Sequence, residues 1–134
     1  MSLERDFVKY NGGPVVSTRD RLHVTLSELG VIYINKRTYE AWARPASVAL
    51  YYSAEKDTIA IEHANPRFPE NFPVKPCQNG YRILAGPFLG HFNIRVSNTI
   101  RFPHPEIEGG LMLLNLRDTV NTTARRSLHK PARK

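Results

Sequence analysis

Five histidines, one cysteine and several basic clusters are the groups in this chain best equipped for chemistry. His23, His63, His91, His104 and His129 show no HxxxH or HxH spacing, so no single helix or strand offers two imidazoles to one metal ion. The sequence predicts neither a metal site nor a cofactor. His104 and Glu106 stand two apart in "PHPEIEGG" and could exchange a proton. The two prolines and two glycines around them read first as a hairpin connection. No GxSxG, Walker-type loop or CxxC occurs, and "NGG" and "EGG" are too short to cradle a phosphate. Cys77 is the single cysteine and can form no internal disulfide. The expectation is a protein that is not an enzyme.

The cations offer more. The formal net charge is +7, and five of those charges (Arg125, Arg126, Lys130, Arg133 and Lys134) lie in the acid-free stretch from Thr119 to Lys134. The rest of the chain carries +2. That end reads as a basic tail, and its arginines and lysines would release counterions from nucleic acid on binding. A second cluster, Arg19, Arg21, Lys36 and Arg37, sits around an expected hairpin and helix start. Together Arg19, Arg21, Lys36, Arg37, Arg125, Arg126 and Lys130 are the candidate nucleic-acid contacts.

Elements that must position these residues follow from periodicity. In "RLHVTL", Leu22, Val24 and Leu26 alternate with polar residues, and "VIYI" after Gly30 is rich in β-branched and aromatic side chains. Asn35 is a favoured N-cap for a short helix in "KRTYEAWA", with Thr38, Tyr39 and Trp42 on one face and the rings turned inward. "SVALYYS" and "TIAIEH" should form an antiparallel hairpin, in which the adjacent Tyr51 and Tyr52 must point to opposite faces. "NPRFPENFPVKP" is the linker candidate. Beyond it "YRIL", a helix at "GPFLGHF", and strands at "NTIRF" and "LMLLNL" repeat the same order. The aromatic residues, Tyr33 among them, could include base-stacking platforms as in single-strand binders, but most fall at the apolar phase of a strand or helix and read as core.

The two halves can be counted against each other. Gly30 and Gly80, Ile34 and Leu84, and Trp42 and Phe92 lie 50 apart; Ile59 and Met112, like Ile61 and Leu114, lie 53 apart. This is an internal repeat of two turn–strand–helix–strand–strand units. One unit is too small to bury its own apolar face, so the pair is expected to share a core about a pseudo-twofold axis. The boundaries are an N-terminal arm or edge strand over 1–20, units over 21–64 and 74–118, a linker over 65–73 and a basic tail over 119–134.

The run "ELGVIYINKRTYEAW" followed by "ASVALYYSAEKDTIAIEH" resembles the AbrB-type swapped-hairpin domain of transition-state regulators and antitoxins. Two such units in one chain are similar to MraZ-type relatives. The resemblance implies a mainly β fold with two short helices, a swapped-hairpin barrel built from two pseudo-symmetric β-β-α-β-β units. It also implies duplex DNA as the partner and transcription regulation as the role. Val31 stands where the family usually has Arg, Asn35 where it has Pro, and Tyr39 and Glu40 near its DNA-facing basic positions. The grip on phosphate is therefore expected to move to Arg19, Arg21, Lys36 and Arg37. The alternative is an interaction or assembly protein, a homo-oligomer or the scaffold for another chain, using the same barrel and tail. With no apolar run of about 18 residues and no apolar leader in "MSLERDFVKY", neither a membrane span nor a signal peptide is expected, and the chain reads as cytoplasmic.

Overall fold

The computed structural model describes residues 21–122. The chain is mainly β, with two sheets and two short helices. The first half runs β1 (Val24–Leu26), β2 (Val31–Asn35), α1 (Lys36–Ala41), β3 (Ser47–Ser53) and β4 (Thr58–His63). The second half continues with β5 (Phe72–Pro73), β6 (Lys75–Cys77), β7 (Gly80–Leu84), α2 (Gly86–His91), β8 (Ile100–Arg101), β9 (Glu106–Glu108), β10 (Leu111–Asn115) and β11 (Val120–Asn121). Among the described residues no helix is long and apolar enough to cross a membrane.

The six-stranded sheet has the order β11-β8-β1-β2-β7-β6, and the five-stranded sheet β5-β3-β4-β10-β9. Strands from the two halves interleave: β2 pairs with β7, β1 with β8, β4 with β10 and β3 with β5, all antiparallel. The sheets face each other across one core. Val24, Leu26, Ile32, Ile34 and Ile83 come from the first sheet, and Val48, Ile59, Ile61, Met112 and Leu114 from the second. Fully buried Trp42, just past α1, ties the layers together. Its indole Nε1 donates to Gly110 O at 3.0 Å, while its own carbonyl accepts from His63 Nε2 at 2.6 Å. A carbonyl can only accept, so His63 must carry its proton on Nε2.

Three local expectations change. The linker segment 65–73 ends in β5, paired to Ser47 and Val48, because the extended Pro-rich chain reaches the edge of β3. The tail segment 119–134 begins with β11, paired to β8, so its first residues belong to the sheet. "PHPEIEGG" is more than a connection. Pro103 and Pro105 interrupt pairing after β8, and the Glu-Ile-Glu alternation then forms β9 in the other sheet, with Ile107 opposite buried Met112.

The internal count also shifts. An offset of 50 equates Ile34, fully buried, with Leu84, which is 43% exposed. The cause lies in sheet geometry. Directly opposed residues of an antiparallel pair share a face, so a twofold axis normal to the sheet can equate only positions whose separation has the parity of the opposed pairs, which is odd in this register. With Ile32 opposite Ile83, an offset of 51 matches Ile32 to Ile83 and Ile34 to Ala85, all buried. The odd offset of 53 keeps Ile59, Ile61, Met112 and Leu114 all fully buried. In the helices 50 holds: the C-terminal bonds Ala43 N–H to Glu40 O and Arg44 N–H to Tyr39 O recur as Asn93 to Gly90 and Ile94 to Leu89. The second half thus lacks a counterpart of Asn35 between strand and helix.

Two glycines should respond oppositely to a methyl group. Gly30 has φ +87°, and a Cβ there would lie 2.7 Å from Gly86 Cα, so Gly30→Ala should lower stability by at least about 1–2 kcal/mol. Gly90, in α2, has nothing within 4 Å of that position, so Gly90→Ala should raise stability by about 0.5–1 kcal/mol. Denaturant midpoints of the two variants check both signs.

Candidate nucleic-acid interface

Strand alternation gives each sheet an outer face, and the register of the six-stranded sheet lines up one continuous row across it. Val120 opposes Arg101, Arg101 opposes Thr25, Thr25 opposes Tyr33, Tyr33 opposes Arg82, and Arg82 opposes Lys75. Adjacent strands lie about 4.8 Å apart, so Arg101 and Lys75 are separated by about 19 Å along this row. The six strands contain Lys75, Arg82 and Arg101 and no Asp or Glu. The five-stranded sheet is the reverse, with Glu62, Glu106 and Glu108 and no Lys or Arg. Among the described residues the strands of the two sheets therefore carry opposite charge.

At one corner of the basic face, Asn35 organises the entry into α1. Its Oδ1 accepts from Thr38 N–H at 2.9 Å and from the Thr38 hydroxyl at 2.6 Å, satisfying the first turn. Its Nδ2 donates to Arg21 O at 2.9 Å, and Thr38 Oγ1 accepts from His23 N–H at 2.8 Å. The chain at Arg21 is thereby tied beside the helix start, where Lys36 and Arg37 are exposed. Of the sequence candidates, the fold brings together Arg21, Lys36 and Arg37. Arg19, Arg125, Arg126 and Lys130 lie outside the described residues.

His23 links this corner to the row. Its ring meets Tyr33 edge-on at 6.1 Å, and its Nδ1 is buried without a hydrogen-bond partner. Burial, then the nearby charges of Arg101 and Arg21, hold its pKa below the usual value. An imidazole that is harder to protonate in the fold than in the unfolded chain makes stability decrease as pH falls. The loss should begin as pH drops below 6.5 and continue through the lowered folded value. Thermal unfolding from pH 7.5 to 5 should show the wild type losing more stability than His23→Gln, with the gap opening below that point.

Tyr33 itself sits half-buried on the outer face rather than in the core, because the parity that buries Ile32 and Ile34 turns it outward. Its hydroxyl donates to Asn79 O at 2.8 Å. A Cβ at Gly80 would collide first with Ile34 O, and it would also meet Tyr33 Cε1 at 2.9 Å and the hydroxyl oxygen at 2.8 Å, so the ring lies over that glycine. Sequence reasoning passed over Lys75, Arg82 and Arg101. The signal was present in the alternation of "YRIL" and "TIRF", but the pairing that aligns them was not.

Elsewhere, His104 Nδ1, in the β8–β9 connection, pairs at the surface with Asp118 Oδ2 of the β10–β11 connection at 2.8 Å; Glu106, the neighbour suggested by sequence, is not its partner in this pair. Among the described residues no three His, Cys, Asp or Glu side chains gather closely enough to hold a metal ion. Tyr51 and Tyr52 do face opposite ways: exposed Tyr51 donates to Glu62, and half-buried Tyr52 to Asp57. Those two carboxylate bonds raise the phenol pKa values, since each favours the protonated hydroxyl. Comparison with models of protein families, with curated protein sequences and with solved structures finds no match.

Proposed function

We propose that this chain is a non-enzymatic DNA-binding protein, a transcription regulator that meets nucleic acid with the outer face of its six-stranded sheet. The observation that carries the reading is the charge segregation. Among the described residues, the strands with Lys75, Arg82 and Arg101 contain no acid, and the adjoining corner adds Arg21, Lys36 and Arg37. A cationic surface with no carboxylate in its strands can neutralise phosphates without first breaking ion pairs of its own. In this reading the chain is two AbrB-like units, 21–64 and 74–118, joined by 65–73 and closed as a swapped-hairpin barrel. The interleaving of strands from the two halves, with the odd offsets of 51 and 53 on its two central pairs, supports that architecture. The basic segment after Thr122 would add affinity that is independent of sequence.

One feature favours a second reading, assembly with another protein. The outer face of the acidic sheet has a groove of about 490 Å³ lined by Tyr51, Thr58, Ala60, His104, Glu106 and Leu113. Beside it, among the described residues, β5 covers only Ser47 and Val48, leaving the rest of β3 as an edge that another chain could extend.

Anisotropy of labelled duplex DNA, titrated with residues 1–134 at two salt concentrations, separates these. Duplex binding should weaken steeply with salt, and Arg82→Ala with Arg101→Ala should weaken all sequences alike, flattening the log–log salt slope by about 2. Unchanged affinity and slope in the double variant would sink the sheet-face reading. A chain ending at residue 122, which keeps β11, reports the tail's share; binding lost there alone would assign the contact to the tail.

A further inference from the structure

We infer that the basic sheet face prefers single-stranded nucleic acid to duplex, with the backbone following the row of cations and a base stacked on Tyr33. The inference rests on the reading of that face as a nucleic-acid interface and adds the strand form it takes. The first argument is size. Six strands make a row about 24 Å wide, whereas the major groove is about 12 Å wide and admits a helix or a two-stranded ribbon. The row cannot enter that groove, so a duplex would meet it only through the few phosphates on one side. A single strand can bend along it, keeping phosphates near Arg101, Arg82 and Lys75 while its bases turn down to the protein.

The second argument is the middle of the row. Tyr33 stands between Thr25 and Arg82, its hydroxyl held by Asn79 O and its ring laid over Gly80, where a side chain would collide with it. Glycine is required there first by the close approach of the Ile34 carbonyl of β2, and its missing side chain also leaves room for the ring to lie down. A laid-down, half-exposed aromatic ring between cations is a stacking platform, and it accepts any base because every base has a π-face. The hydroxyl bond fixes the platform before binding, so little ordering is needed when a base arrives. His23, edge-on to Tyr33, borders the platform on the side facing Arg21.

The test titrates residues 1–134 with a labelled oligonucleotide of about twelve bases, single-stranded and then annealed to its complement, at equal salt. Single-strand affinity should exceed duplex affinity, and Tyr33→Leu should cost the single strand roughly tenfold while leaving the duplex nearly unchanged. Tyr33→Phe, which keeps the ring, should retain most single-strand binding. Duplex affinity equal to or above single-strand affinity would overturn the inference. So would a Tyr33→Leu variant that is folded by circular dichroism and binds both forms like the wild type. If Arg82→Ala with Arg101→Ala weakens both forms but Tyr33→Leu weakens neither, the face binds phosphate and only the strand preference fails. If the arginine variants change neither form, the interface reading itself fails. Should Tyr33→Leu not fold, an aminopurine placed in the single strand decides the matter with the wild-type protein: quenching on binding supports stacking, and unchanged emission overturns it.

Discussion

The antiparallel pairing of β2 with β7 is the constraint on which the rest depends. Each half of the chain offers strands with one apolar side and too little chain to cover it. Once β2 lies against β7, and β4 against β10, the inner residues of both halves face a common interior, and Trp42 fills the space between the layers. The same register decides what is left outside. With Ile32 set against Ile83, Tyr33 must oppose Arg82, and the core and the outer row are fixed together. A slip of one residue would exchange the two faces, bringing Arg82 into the core and Ile83 to the surface.

That coupling explains why charge is distributed by sheet. Lys75 and Arg82 oppose each other on the two strands of one hairpin, β6 and β7, and Arg101 joins their row only because β8, β1, β2 and β7 lie side by side. The acids Glu62, Glu106 and Glu108 gather by the same mechanism on the other sheet. Pro103 and Pro105 help to keep the two sets apart. They end the pairing of β8 with β1, and the chain then enters the second sheet as β9. A nearly neutral body, +2 without the five charges of the tail, can therefore still hold three cations and no acid in the described strands of one sheet.

Asn35 shows how one residue serves both fold and surface. Its side chain closes the first turn of α1 and also holds the chain at Arg21, bringing basic residues from either side of β1 and β2 to one corner. The second half enters α2 without such a residue: Ala85 stands before the helix with no side-chain cap, and Pro87 takes up part of the loss by needing no N–H partner. The absence of an Asn35 counterpart is also why a count of 50 fits the helices and 51 fits the strands.

The sequence by itself determined the local elements. Alternation marked β1, and short runs rich in apolar, β-branched and aromatic residues marked β2, β3, β4 and β10; Asn35 marked a helix start; and the polar turn "AEKD" marked a hairpin, because each of these depends on neighbours within a few residues. It also placed Arg21, Lys36 and Arg37 together, since an element boundary brought them close. What it left open was set by long-range pairing. A sequence count cannot register that opposed strands share a face, so it equated Ile34 with Leu84. Nor could it see that Glu106–Glu108 would form a strand on a different sheet from Ile100–Arg101. Tyr33 looked like core because its type is apolar and its neighbours are buried. Only the tertiary register turned it outward and aligned it with Arg82 and Arg101, because strand order, unlike strand identity, is decided by which surfaces can cover one another.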